Sequence, residues 1–332
     1  MFVRLARRTA AAAGLAAVVL LLSSCGLQPA TSYVPAVGPG SIKRIEGLGK
    51  ADITVTSKNF TEQLVLGKIA VLATKAAGFH VTDLTNVPGS QPARDLLLSG
   101  EADIGWEYTG TAWLTYLGKK AGIADKAKQW QAVHDADLKN GITWGKPAPM
   151  NNTYAMAVRS EAVDKLGGIS KLSDIAKLPV KDRTFCIESE FNSRPDGFNP
   201  MLEKYGLKRG AAKGVPEDNI GIYDTGAVYS ATDNGACNFG EVFATDGRIK
   251  ALDLTILKDD KNFFPAYNVG PEFYTETLQK YPQLTDIFAQ ITPKLTDDVL
   301  QSLNYKVDVA GEEPADVAFN WMLDEGLISK PQ

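Results

Sequence analysis

Glu107-Tyr108-Thr109-Gly110-Thr111 follows a short apolar run, Ala102-Asp103-Ile104-Gly105-Trp106, and precedes a new apolar periodicity carried by Trp113, Leu114, Tyr116 and Leu117. That order predicts the turn from the end of a strand into a helix. In layered α/β proteins such turns line the ligand crevice. The stretch offers an aromatic ring, hydroxyls beside a glycine, and a helix N-terminus whose free amides favour anions. It suits a small ligand with a cationic and an anionic end.

Outward from this stretch the chain keeps an α/β rhythm. Residues 52–57 alternate, with Ile53 and Val55 on one face, which predicts a strand. Ser57-Lys58-Asn59-Phe60-Thr61-Glu62-Gln63 comes next, with Asn59 and Glu62 at N-cap and N3 spacing ahead of a helical pattern at Leu66, Ile69, Ala70 and Ala73. Lys58 therefore falls at a strand end beside a helix start. A second strand is expected over 80–87 and a short helix over 93–99, implying a parallel sheet with right-handed crossovers. Residues 142–149, broken by Gly145, Pro147 and Pro149, read as a crossing into a second lobe that opens with a strand near Tyr154. Strands over 183–187, 219–223 and 237–243 follow, then Thr245-Asp246-Gly247-Arg248 and a return through Phe263-Phe264-Pro265-Ala266-Tyr267. Residues 272–328 are mostly helical. The expectation is an α/β protein of two lobes, residues 51–150 with 265–332 and residues 151–264. Two crossing strands join them around a cleft of the kind that closes on ligand.

The N-terminus sets the compartment. Arg4, Arg7 and Arg8 precede an uncharged apolar run over 10–22, and Leu22-Ser23-Ser24-Cys25 ends it. Residues 1–24 thus read as a signal peptide, too short for a comfortable membrane span of about 20 residues. Leu-Ser-Ser-Cys resembles the bacterial lipobox, which implies lipidation at Cys25 and a lipid anchor on the extracytoplasmic face of the membrane. Residues 25–50, rich in Gly, Pro, Ser and Thr, read as a disordered tether. Removing residues 1–24 takes away three arginines and no acid, so the formal charge of −4 becomes −7. An acidic mature chain argues against nucleic-acid binding. Cys186 and Cys237 are the remaining cysteines, and in an exported protein they suggest one disulfide, with two buried thiols as the alternative.

Catalysis finds little support. The chain has 2 histidines, His80 and His134, and no Ser/His/Asp set can be assembled around them. No zinc spacing, phosphate-binding loop or dinucleotide fingerprint occurs, so no cofactor and no metal are expected. Asp246-Gly247 and Asp259-Asp260 lack the regular oxygen spacing of a calcium loop.

Five motifs appear in order: Ser57 to Gln63, Glu107 to Thr111, Arg194-Pro195-Asp196-Gly197, Thr245 to Arg248, and Phe264 to Tyr267. With them, residues 51–330 resemble the substrate-binding lipoproteins of osmoprotectant ABC importers, which serve glycine betaine, choline, carnitine and proline betaine. The resemblance implies a type II periplasmic-binding-protein fold, partnered by a membrane permease and its ATPase. It also implies a tyrosine cage for the quaternary ammonium at Tyr108, Tyr154 and Tyr267, with Lys58, Thr111 and Arg194 holding a ligand carboxylate. The fourth cage position falls on Phe243, which keeps a π-face but removes a hydroxyl. Tyr223 and Tyr229 lie upstream as further candidate rings. A trimethylammonium has no N–H to donate, so ring faces worth roughly 0.5–2 kcal/mol each must hold it.

Two other readings compete. A surface sensor or adhesion module on the same fold predicts a degraded cage, and an enzyme on this scaffold would need Cys186 or Cys237 as its reactive group.

Overall fold

The computed structural model describes residues 33–123 and 125–331. Cys25 and the signal-peptide residues 1–24 lie outside the described residues.

Two five-stranded sheets carry the fold. In the first, the strands run in the order His80–Val87, Asp52–Lys58, Ile104–Tyr108, Val269–Tyr274 and Ile142–Trp144. The first three are parallel, as the βα alternation requires. Val269–Tyr274 is antiparallel to both its neighbours, so the sheet is mixed, not wholly parallel as expected. The reason is connectivity: this strand enters from the second lobe and therefore runs opposite to strands that begin on the far side. The second sheet has the order Leu254–Ile256, Tyr154–Arg159, Phe239–Phe243, Phe185–Glu188 and Ile220–Tyr223. It too is mixed, antiparallel on the Tyr154–Arg159 side and parallel on the Phe185–Glu188 side.

The helix Thr61–Ala76 anchors the first lobe. Val65, Leu66, Ile69, Ala70, Leu72 and Ala73 are all fully buried, since the helix lies between the sheet and the helix Pro314–Asp324. A helix apolar nearly all round is stable only when covered in this way. It starts after Phe60, whose backbone is extended, and no side chain caps it. Asn59 is therefore not the N-cap that its spacing suggested. Glu62 is likewise no capping-box partner, being buried at 2 % exposure for a different purpose.

Residues 34–49 also differ from the expected disordered tether. Gly38–Pro39 pairs antiparallel with Ile328–Ser329, Ile42 N–H donates to Leu327 O at 3.0 Å, and Ile45 N–H donates to Ala77 O at 2.8 Å. Ile42 is fully buried. Val37, Ile42, Ile45 and Leu48 are too irregularly spaced to signal an element, yet each packs on or within the core.

The two crossing segments are bonded to one another. Asn152 N–H donates to Tyr267 O at 3.2 Å, Tyr267 N–H to Asn151 Oδ1 at 2.6 Å, and Asn268 Nδ2 to Met150 O at 2.6 Å. The hinge therefore has a fixed register, which sets where Tyr154 and Tyr267 enter the cleft.

Candidate functional site

A cavity of about 350 Å³ lies between the sheets, and Lys58, Tyr108, Thr111, Tyr154, Arg194, Phe243 and Tyr267 all line it. Each arrives by a different local rule. Tyr108 is the last residue of its strand and Thr111 sits in the helical turn behind it. Tyr154 and Phe243 are cross-strand partners in the antiparallel ladder, so their rings leave the same face, with centroids 5.3 Å apart. Tyr267 comes from the return segment and meets Tyr154 edge-on at 5.7 Å. Gly110 makes that approach possible, because a Cβ there would lie 2.6 Å from the Tyr267 ring.

The rings form a continuous wall. Phe60, which also lines the cavity, stacks on Phe243 at 5.2 Å and on Tyr108 at 6.2 Å. Its motif was legible in the sequence but its role was not, since an aromatic just before a helix usually staples the helix start. Burial raises the hydroxyls of Tyr108, Tyr154 and Tyr267 well above the ordinary tyrosine range, so all three stay neutral. Tyr223 lines the cavity as well. Tyr229 does not line it: its hydroxyl accepts from Phe243 N–H at 2.9 Å, and Arg248 lies over its ring at 4.1 Å.

The polar end carries its own counter-charges. Lys58 Nζ pairs with Glu107 Oε1 at 2.7 Å and stands 5.2 Å from the Tyr108 centroid. Arg194 donates from Nε and Nη2 to the two oxygens of Asp196, both at 2.7 Å. Its Nη1 donates to Glu190 Oε1 at 3.0 Å and its Nη2 also to Thr111 Oγ1 at 3.2 Å. Tyr267 OH donates to Asp196 Oδ2 at 2.6 Å. Glu190, Glu188 and Asp224 line the same end. Thr109 N–H, at the helix start that was expected to attract an anion, is already used by Asn268 O at 3.0 Å.

Glu62 supports the ring wall from behind. Its carboxylate accepts from Tyr108 OH at 2.7 Å, Asn152 Nδ2 at 2.9 Å, Thr245 Oγ1 at 2.5 Å and Asn304 Nδ2 at 3.2 Å. Burial pushes its carboxyl up, and the four hydrogen bonds pull it partly back.

Elsewhere the singled-out acids are structural braces. Asp246 holds Arg248 Nε at 2.9 Å, while Asp259 accepts from Phe263 N–H at 3.0 Å and Phe264 N–H at 2.9 Å. Asp260 accepts from Ser173 N–H at 3.2 Å. Cys186 and Cys237 form a disulfide with Cα atoms 5.8 Å apart. A bonded pair offers no thiol for nucleophilic chemistry.

The family model described as the substrate binding domain of ABC-type glycine betaine transport systems matches residues 51–324. A glycine-betaine-binding protein of Pseudomonas aeruginosa is 36% identical over 295 residues, covering 86% of this chain and 92% of that protein. The carnitine transport binding protein OpuCC of Listeria monocytogenes is 29% identical, with 90% of each chain covered. The solved structure of a glycine betaine/carnitine/choline ABC transporter protein superposes with a TM-score of 0.66 at 29% identity, over 82% of this chain and 98% of that one.

Proposed function

We propose, on the premise that this chain belongs to the family of substrate-binding domains of ABC-type glycine betaine transport systems, that seven of its cavity residues take a quaternary-ammonium compatible solute. Members of this family have the type II periplasmic-binding-protein fold, act outside the cytoplasm and deliver ligand to an ABC permease. In our reading Tyr108, Tyr154, Phe243 and Tyr267 surround the cation, and Lys58, Thr111 and Arg194 form the polar end of the site. The lobes are residues 51–150 with 265–332 and residues 151–264; ligand contacts both and so favours closure. We read the chain as a binding protein and not an enzyme, tethered through lipid on Cys25 and served by an ATPase that drives the permease.

The observation that supports this most is the convergence of all seven residues on one cavity of about 350 Å³. They come from six separate stretches of sequence. Several ring faces, each worth roughly 0.5–2 kcal/mol, reach a useful share of the about 8 kcal/mol that micromolar affinity needs. Glycine betaine, choline, carnitine and proline betaine make a direct panel for thermal unfolding. At about 100-fold over its dissociation constant a true ligand adds about 2.7 kcal/mol of stability. A flat response to all four would overturn the assignment.

A further inference from the structure

Glu190 lies on the second-lobe wall of the cavity but is bonded to the first. Its Oε1 accepts from Ser90 Oγ, its Oε2 accepts from Ser90 N–H at 3.2 Å, and its Oε1 also accepts from Arg194 Nη1 at 3.0 Å. Ser90 is the first residue of the nine-residue helix Ser90–Leu98, so the carboxylate meets an amide that no turn of that helix can satisfy. Burial works against charge on Glu190, but Lys58 and then Arg194 outweigh it and hold the carboxyl below its ordinary range. An ionised protein carboxylate thus joins the lobes next to the ring wall, on donors that a ligand carboxylate would otherwise take.

Resting on the quaternary-ammonium reading, we propose that Glu190 supplies from the protein the carboxylate that bridges the two lobes. The cleft can then close on ligands that bring a cation and no carboxylate. Such a ligand leaves the Ser90 and Arg194 donors paired, and a hydroxyl at its polar end finds an acceptor in Glu190 itself. A zwitterionic betaine instead brings a second carboxylate toward an occupied arginine, and like charges at that distance oppose one another. Glu190 is therefore a specificity-determining residue: it favours choline-like cations relative to betaines. Removing its charge leaves at most one acceptor oxygen here, so that Ser90 N–H, now on Oε2, is freed and the hold on Arg194 is weakened in favour of the carboxylate of a betaine, while a choline-like ligand loses the anionic bridge.

The test is calorimetric titration of the wild-type protein and Glu190→Gln with choline and with glycine betaine, the ratio of the two dissociation constants being the readout. The expected result is that wild type binds choline, and that Glu190→Gln shifts the ratio at least about tenfold toward glycine betaine. A ratio unchanged by the substitution, or equal weakening of both ligands, overturns the proposal and leaves the ligand class intact. A wild type that binds glycine betaine but not choline overturns it as well. Binding of neither by wild type overturns the ligand class and the proposal together. Glu190 is only partly buried, and Glu190→Ala provides a second variant should Glu190→Gln melt early.

Discussion

Tyr108 donates its hydroxyl to Glu62 at 2.7 Å, and that one bond links the ring wall to the hinge, because the same carboxylate also accepts from Asn152 and Thr245. Tyr108→Phe keeps the ring and removes the bond. Leaving a buried carboxylate one donor short costs roughly 1–3 kcal/mol. The urea midpoint is expected to fall accordingly, and ligand affinity to drop a few-fold as the ring loses its fixed orientation. An unchanged midpoint would show that Glu62 does not depend on this donor.

Tyr154 and Phe243 face each other across the antiparallel ladder, and neither ring is replaceable by an aliphatic side chain if they hold a cation. Tyr154→Leu and Phe243→Leu are each expected to weaken choline or glycine betaine binding by roughly 1–2 kcal/mol, about tenfold. Phe243→Tyr retains the π-face and is expected to bind at least as well as wild type. Titrations at a temperature where every variant is folded decide the matter. Full affinity in Tyr154→Leu would remove that ring from the site.

Much of this was legible in the sequence because the site sits at element ends. Tyr108, Thr111 and Lys58 follow apolar runs that mark strands, and their polar or aromatic character stands out there. Phe243 and Tyr154 were readable as strand positions, although their pairing depends on a ladder between residues far apart in the chain. What stayed hidden is non-local. Glu62 has the spacing of a first-turn helical acid, and its partners Thr245 and Asn304 lie 183 and 242 residues away. Glu190 carries no pattern in the sequence that marks it out, and only the approach of Ser90, 100 residues earlier, gives it a task. The direction of Val269–Tyr274 was equally unreadable, since it follows from the return out of the second lobe and leaves no local pattern.

Cys186 and Cys237, 51 residues apart in sequence, tie the strand Phe185–Glu188 to the turn that leads into its neighbour Phe239–Phe243. Closing a loop of that length restricts the unfolded chain by about 4 kcal/mol on the chain-entropy model. Reduction, or replacement of both cysteines by alanine, is expected to lower the stability of the protein by up to that amount. Neither cysteine lines the cavity, so affinity for ligand is expected to persist wherever the reduced protein remains folded. Urea unfolding with and without dithiothreitol measures the effect, and coincident curves would contradict it.

Glu241 is buried at 2 % exposure beside Glu188, whose N–H donates to its Oε2 at 2.8 Å. Burial first, and then the charge of Glu188, raises its carboxyl well above the ordinary glutamate range. Folding therefore tightens the proton on Glu241 relative to the unfolded chain, where a glutamate titrates near 4.3. Between about that pH and the higher folded value, unfolding releases protons, so stability is fully present on the acid side and declines as pH rises. Glu190, held low by Lys58 and Arg194 against the burial that opposes its charge, acts in the opposite sense but only below about pH 4.3. The melting temperature is thus expected to fall as pH rises above about 5, and Glu241→Gln, which stays neutral throughout, is expected to flatten the decline and melt higher than wild type at the alkaline end. Parallel pH profiles for the two proteins would mean that Glu241 is already ionised in the folded state.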